Sequence, residues 1–184
     1  MSARAHLPSV ARRLFPLLLA LSACTPVIGL GSDPAAPSSK WATETDAAWA
    51  ELQRALVGQW RATTPDNRSF LLGYRLASNG TALVEAFTSS ASGKETLSVY
   101  HRDGGTLMLT HYCAQGNQAR LKAVMATRTK VVFTFLDATN VAAEQDVMQQ
   151  LTLALRPDGF DQETVYRLPS GALQTTTLRF TREP

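Results

Sequence analysis

From residue 57 onward the chain is a succession of short segments of apolar and polar residues, separated by tight-turn residues. The separators at 78–80, 103–105, 157–159 and 169–171 contain the Gly, Asn, Asp, Ser and Pro residues that tight turns require. The predicted strands are 57–63, 69–77, 81–88, 94–102, 106–113, 118–127, 129–137, 147–156, 159–168 and 172–182. The segments between these predicted strands are too short for crossover helices. The pattern therefore predicts an all-β fold, a single antiparallel barrel of about ten strands, because closure best removes exposed sheet edges.

One helical segment precedes the first strand. Trp49, Leu52 and Leu56 recur at a helical spacing, and Gly58 ends the pattern. Thr43 or Thr45 is suited to cap the start of this segment. The sequence therefore predicts one short helix before the barrel.

The N-terminus has the three parts of an export signal. A basic region with Arg4, Arg12 and Arg13 is followed by an apolar run over 14–20 and then by small residues. The apolar run is well below the ~20 residues that a transmembrane helix needs. We therefore expect residues 1–23 to be a signal peptide.

The signal ends in Leu21-Ser22-Ala23-Cys24, which resembles the lipobox of bacterial lipoproteins. The resemblance implies that Cys24 becomes the diacylated first residue, with membrane lipid as its partner. The residue after Cys24 is Thr25 rather than Asp, and this pattern resembles that of lipoproteins sent to the outer membrane. In a two-membrane envelope we therefore expect the protein to be anchored in the outer membrane and to face the periplasm. An ordinary cleaved signal with an incidental cysteine is the alternative.

Residues 24–40 are rich in Pro, Gly, Ser and Ala, which predicts a flexible tether, and residues 41–184 suit one domain. Residues 1–23 hold three of the 18 Lys and Arg residues and none of the 15 Asp and Glu residues. The remainder is formally neutral, so no basic surface argues for a nucleic-acid partner. The sequence does not indicate an oligomeric state.

Alternation assigns side chains to the two faces of the sheet. Phe70, Leu72, Tyr74 and Leu76 share one face, as do Val131, Phe133 and Phe135, and Leu151, Leu153 and Leu155. A three-residue loop at 103–105 would pair His101 with Leu107 and Leu97 with His111, and would gather the apolar residues on one face. This register predicts that His111 and Cys113 point inward and that Tyr112 points outward.

Two segments carry a resemblance to a known fold family. Leu56-Val57-Gly58-Gln59-Trp60 resembles the opening of lipocalins and fatty-acid-binding proteins, the calycin barrels. Leu109-Thr110-His111-Tyr112-Cys113-Ala114-Gln115-Gly116-Asn117-Gln118 is similar to a signature of uncharacterised bacterial lipocalin-like domains. The resemblance covers roughly residues 56–140. It implies a calycin-like barrel with Trp60 packed across the closed end.

His111 and Cys113 are candidates for chemistry. A Cys-His nucleophile needs the imidazole within hydrogen-bond reach of the sulfur, and same-face neighbours two residues apart permit this without requiring it. A buried thiol beside a hydrogen-bonded histidine is the simpler interpretation. A metal site would also need His101, which the predicted register spreads away from His111, so we expect neither a metal nor a cofactor.

The favoured hypothesis is a lipoprotein that binds a small, partly apolar molecule inside the barrel. The alternatives are an enzyme that uses Cys113 and His111, a structural envelope lipoprotein without a ligand, and a barrel whose aromatic side chains fill a solid core. Asn117 and Arg120 would orient the ligand at the barrel mouth, unless they serve only a turn and an ion pair. The full candidate set is Trp60, Phe70, Leu72, Tyr74, His101, His111, Cys113, Asn117, Arg120, Phe133 and Phe135.

Overall fold

The structure, a computed structural model, describes residues 39–183, with side chains from Thr43 onward. The predicted signal peptide, Cys24 and nearly all of the predicted tether lie outside the described residues. The helix α1 spans Ser39–Leu56. It begins before Thr43, so the predicted cap is wrong, and Thr45 Oγ1 instead donates to Gly105 O at 3.0 Å. Within the described part of the chain, no helix has the length and apolar character to cross a membrane.

Ten antiparallel strands form one closed barrel, which confirms the predicted all-β architecture. Each strand pairs with its neighbours in sequence, and β1 closes the barrel against β10. The strands are β1 Gly58–Thr63, β2 Ser69–Ala77, β3 Ala82–Ser89, β4 Glu95–Asp103, β5 Thr106–Tyr112, β6 Gln118–Ala126, β7 Lys130–Thr139, β8 Val147–Arg156, β9 Gly159–Arg167 and β10 Leu173–Arg182. The predicted boundaries differ from these by two residues at most, because the turn residues mark them.

The β4–β5 hairpin departs from the predicted register. Asp103 pairs with Thr106, so the loop contains two residues, and Ser98 rather than Leu97 lies opposite His111. His101 pairs with Met108 and faces outward. The three-residue loop is wrong because the inner face of β4 is partly polar: Ser98 and Tyr100 point inward and are fully buried. Hydrophobicity alone predicts instead that Leu97 is on the inner face of β4.

The helix α1 lies across one end of the barrel, which we call the covered end. Gln53 Nε2 donates to Gly80 O at 2.5 Å, and Thr45 reaches the β4–β5 turn, so α1 is tied to two turns at this end. Its apolar side joins the main core through Ala48, Trp49, Leu52 and Leu56. The opposite or distal end carries the turns at 64–68, 90–94, 113–117, 140–146 and 168–172.

The covered end is closed by Trp60 and Arg182. Trp60 is 4% exposed, its indole N–H donates to Leu56 O at 2.6 Å, and its ring packs edge-on against Phe160. The Arg182 guanidinium lies 4.4 Å from the ring centroid and donates to Val57 O and Ala55 O at 3.2 and 3.3 Å. The last strand thereby holds the end of α1 in place.

Gly58 is required at this junction. Its φ is +137°, which L side chains rarely adopt, and a Cβ there would collide with the Arg182 guanidinium. The glycine that ends the helical pattern in the sequence therefore also makes room for the arginine.

The strands β7 and β8 separate at the distal end. They pair only from Lys130 opposite Ala154 to Thr134 opposite Gln150, whereas β7 continues to Thr139 beside β6. Phe133 is fully buried, but Phe135 lies beyond the last β8 partner and is 39% exposed. The burial predicted from alternation therefore does not extend to Phe135.

We expect Arg182→Lys to lower the free energy of unfolding by about 1 kcal/mol, because a lysine cannot both stack on Trp60 and reach two carbonyls. Arg179→Lys is the matched control, since Arg179 lies on the same strand, is 69% exposed and forms its ion pair with Asp161 across the sheet. Urea unfolding followed by tryptophan fluorescence measures both. Equal losses in the two variants would contradict the role given to Arg182.

Candidate functional site

A cavity of about 170 Å³ opens at the distal end of the barrel. The core fills the barrel from the covered end to roughly its middle, and the cavity lies beyond. Apolar and polar side chains both line it: Phe70, Glu85, Phe87, Thr96, His111, Met148, Gln162, Thr164, Tyr166, Thr176 and Leu178. Seven strands contribute these residues, so the closed barrel itself positions the site.

The apolar wall is dominated by two phenylalanines. Phe70 on β2 and Phe87 on β3 face each other with ring centroids 5.7 Å apart and an angle of 32° between the rings. Both are partly buried and pack against the main core. Aromatic faces at this separation offer a flat apolar surface with a negative electrostatic face.

The base of the cavity is formed by a buried acid, Glu85. It is 2% exposed, and Tyr74 donates to its Oε2 at 2.7 Å while Tyr100 donates to the same atom. Ser98 Oγ donates to Oε1 at 3.3 Å. A buried carboxylate requires such donors, since loss of hydration is otherwise very costly.

Burial raises the pKa of Glu85, and hydrogen bonds from Tyr100, Tyr74, Ser98 and Gln162 oppose that shift. Burial also raises the pKa values of Tyr74 and Tyr100 well above their ordinary range, and the charge of Glu85 adds to the effect. Both phenols therefore remain protonated donors at neutral pH. This donor set is the one that an ionised carboxylate needs.

His111 connects the acid to the cavity wall. Its Nδ1 lies 3.1 Å from Ser98 Oγ, and its Nε2 lies 3.2 Å from the Tyr166 hydroxyl. Because Ser98 donates to Glu85, its oxygen accepts from His111, which assigns the ring proton to Nδ1. Tyr166 then donates to Nε2. One chain of hydrogen bonds therefore runs from the Tyr166 hydroxyl through His111 and Ser98 to the Glu85 carboxylate, and each group donates to the next.

Burial lowers the pKa of His111 from 6.5 to about 4. The imidazole is therefore neutral at neutral pH, as the tautomer requires. Burial also raises the pKa of Tyr166, so that its hydroxyl keeps its proton. In the distal chain of hydrogen bonds, neither His111 nor Tyr166 therefore carries a charge at neutral pH.

Gln162 contributes an acceptor without a partner. It is 5% exposed, and its Oε1 is buried and receives no hydrogen bond among the described residues. Its amide N–H side faces Glu85, whose pKa it lowers by hydrogen bonding. The carbonyl oxygen is therefore left for a donor from elsewhere.

The predicted site residues separate into three groups. Phe70 and His111 line the cavity. Four others belong to the core on the covered side of it, where Tyr74 contacts Glu85 from below: Trp60, Leu72, Tyr74 and Phe133. The remaining five do not line the cavity: His101, Cys113, Asn117, Arg120 and Phe135.

Arg120 and Asn117 take the structural roles weighed for them. Arg120 is on the outer surface, where its Nε donates to Asp137 Oδ1 at 2.6 Å. Asn117 is fully buried and joins two distal turns, since its amide donates to Gln145 Oε1 and to Asp146 O at 3.1 and 3.0 Å. Neither side chain projects into the cavity.

Cys113 and His111 do not form a nucleophile-base pair. Cys113 lies just beyond β5 and is partly exposed, and its sulfur accepts from Gln115 N at 3.5 Å. Both His111 nitrogens are taken by Ser98 and Tyr166. Among residues 39–183 no group of three or more His, Cys, Asp or Glu is placed to hold a metal ion.

The sequence interpretation did not identify Glu85, Gln162 or Tyr166. One signal was present: Glu85 lies two residues from both Leu83 and Phe87, on the inward side of β3. A charged residue at an inward position of a strand indicates a buried partner set. The partners themselves come from β2, β4 and β9, and no local pattern relates them.

We expect the stability of the protein to decrease at low pH because His111 is buried in its neutral form. In the unfolded chain His111 is protonated below pH 6.5, whereas in the folded protein it is protonated only below about pH 4. The free energy of unfolding therefore decreases as the pH falls through this window. The contribution is about 3 kcal/mol at ~1.4 kcal/mol per pKa unit. Denaturant unfolding of the wild type and of His111→Gln across this window measures it.

The raised pKa of Glu85 gives a slope of opposite sign, and Glu85 is present in both proteins, so the difference between them reports His111. We expect the wild type to lose more stability than His111→Gln as the pH falls. Parallel stability curves would contradict the burial of a neutral imidazole.

No protein-family model matches the chain, and no curated protein sequence matches it significantly. The function of the chain must therefore be inferred from its own residues.

Proposed function

We propose that the chain is an exported, lipid-anchored protein whose barrel binds a small, partly apolar molecule in the distal cavity. The observation that carries the proposal is the cavity itself, which interrupts an otherwise packed barrel and has an apolar wall and a polar base. Binding sites in proteins commonly combine a mainly apolar lining with a few placed polar groups.

The size of the cavity limits the ligand. At about 170 Å³ it is close to the ~150 Å³ of an engineered cavity that accepts benzene, and smaller than the ~300 Å³ at which drug-sized sites begin. The proposed ligand is therefore about the size of a single substituted ring or a short branched chain. A long acyl chain would extend beyond the mouth.

The polar base favours binding over catalysis. His111 Nδ1 donates to Ser98, His111 Nε2 accepts from Tyr166, and the oxygens of Glu85 accept from protein donors. Groups held in this way orient a ligand, whereas an acid-base catalyst needs a free position facing the reacting atom.

The anchor is proposed from the N-terminal sequence. Residues 1–23 have the composition of an export signal, and Cys24 stands at the end of a lipobox-like tetrad. Two or three acyl chains bind a membrane stably, since each buried methylene contributes about 0.8 kcal/mol. The Pro-, Gly- and Ser-rich segment that follows would let the barrel stand about 20 to 25 Å from the anchor.

Filling the cavity should abolish ligand binding. Thr96→Phe would place a ring in the cavity, because Thr96 lines it, whereas the control Leu97→Phe places the ring on the outer face of the same strand. Native mass spectrometry of protein purified from membranes should show a bound small molecule in the wild type and in Leu97→Phe, but none in Thr96→Phe. An empty wild-type protein, or equal occupancy in the two variants, would overturn the assignment of the cavity.

The anchor is tested with the two cysteines of the chain. We expect Cys24→Ser to abolish acylation and to release the protein from membranes, whereas Cys113→Ser should remain acylated and membrane-bound. The mass of the purified chain and its partition between membrane and soluble fractions measure this. A Cys24→Ser variant that keeps its acyl mass would disprove the lipobox assignment.

A further inference from the structure

Resting on the proposed function, we propose that the ligand of the distal cavity is a small primary amine, with its ammonium group at the base and its apolar body against the Phe70–Phe87 wall. The inference concerns the chemistry of the head group, which the cavity alone does not specify. Three independent features of the lining support it.

The first feature is the unpartnered acceptor. Gln162 Oε1 is buried, lacks a donor among the described residues, and belongs to a side chain that lines the cavity. Buried polar atoms without partners are rare and costly, and among the described residues that line the cavity Gln162 is the one that carries such an atom. A ligand with N–H or O–H groups satisfies this oxygen, and a carboxylate or a hydrocarbon does not.

The second feature is the charge of the lining. Among residues 43–183, Glu85 is the one carboxylate that lines the cavity, and no Lys or Arg of this part of the chain lines it. His111 adds no positive charge, because burial lowers its pKa to about 4. A carboxylate ligand would face an acid without a compensating cation, whereas an ammonium group would favour the ionised form of Glu85 and so offset the effect of burial, which raises the pKa of Glu85.

The third feature is the aromatic wall. The rings of Phe70 and Phe87 flank the same space with their centroids 5.7 Å apart. Aromatic rings pack favourably against apolar groups and against other rings. An amine whose body is a ring or a short chain therefore finds a favourable surface for that body, while its ammonium group lies at the base.

A buried ammonium group must be hydrogen-bonded to offset the loss of hydration. Its three donors require three acceptors. Gln162 Oε1 provides one, and the hydroxyl oxygens of Thr96 and Thr164, which line the same cavity, can accept as well. The amine thus completes the polar base without disturbing the donors already bound to Glu85.

Four probes that share one ring separate the head-group chemistries: benzylamine, benzyl alcohol, toluene and benzoate. We expect benzylamine to bind the purified protein at least tenfold more tightly than benzyl alcohol, and benzoate not to bind. Isothermal titration calorimetry, or chemical-shift changes in the NMR spectrum, measures all four at the same pH and salt concentration.

Two variants test the assigned atoms. Glu85→Gln removes the ionisable carboxyl group and keeps the shape, so the preference for benzylamine over benzyl alcohol should fall to less than threefold. Gln162→Leu removes the acceptor and should weaken benzylamine at least tenfold while leaving toluene unchanged. Gln150→Leu is the control, since Gln150 lies on β8 outside the cavity lining, and it should bind all probes as the wild type does.

The outcomes distinguish the two proposals. If none of the four probes binds and Thr96→Phe changes nothing, the cavity is not a binding site and the proposed function fails with the inference. If toluene, benzyl alcohol or benzoate binds as tightly as benzylamine, the cavity binds ligands but the amine assignment is overturned. If Glu85→Gln does not fold, an unchanged benzylamine affinity in Gln162→Leu still overturns it.

Discussion

The interior of this barrel is organised by the need to solvate one buried carboxylate. Glu85 would be too costly to bury alone, so the strands around it supply Tyr74, Tyr100 and Ser98 as donors. That requirement makes the inner face of β4 polar and thereby sets the register of the β4–β5 hairpin. The register in turn places Ser98 opposite His111, which carries the network to the cavity wall.

The two ends of the barrel are built on different principles. The covered end is packed with α1, Trp60 and Arg182, and its contacts are mainly apolar and aromatic. The distal end leaves a cavity and holds its turns together through polar side chains such as Asn117. The covered half of the barrel thus forms its core from the protein's own side chains.

Most of the fold could be predicted from the sequence, because turn residues and alternation are local signals. The ten strands, the helix before them and the inward position of Phe70 follow from such signals. The candidate site could be predicted only in part. Hydrophobic sorting gave the wrong register for His101, and the partners of Glu85 converge from three other strands, a relation that no local pattern records. Alternation predicts an inward Phe135, but the early end of the β7–β8 pairing exposes it, and Arg120, predicted at the barrel mouth or in an ion pair, pairs with Asp137 on the outer surface.

The early separation of β7 from β8 bears on how the distal end deforms. The hydrogen-bonded ladder between these strands stops at Thr134 and Gln150, while β7 continues to Thr139. Moving the strands apart beyond this point breaks no rung of the ladder; the resistance comes from side-chain contacts such as those of Asn117 with Gln145. The barrel wall therefore has a seam without ladder hydrogen bonds between β7 and β8, and that seam runs to the end of the molecule where the cavity opens.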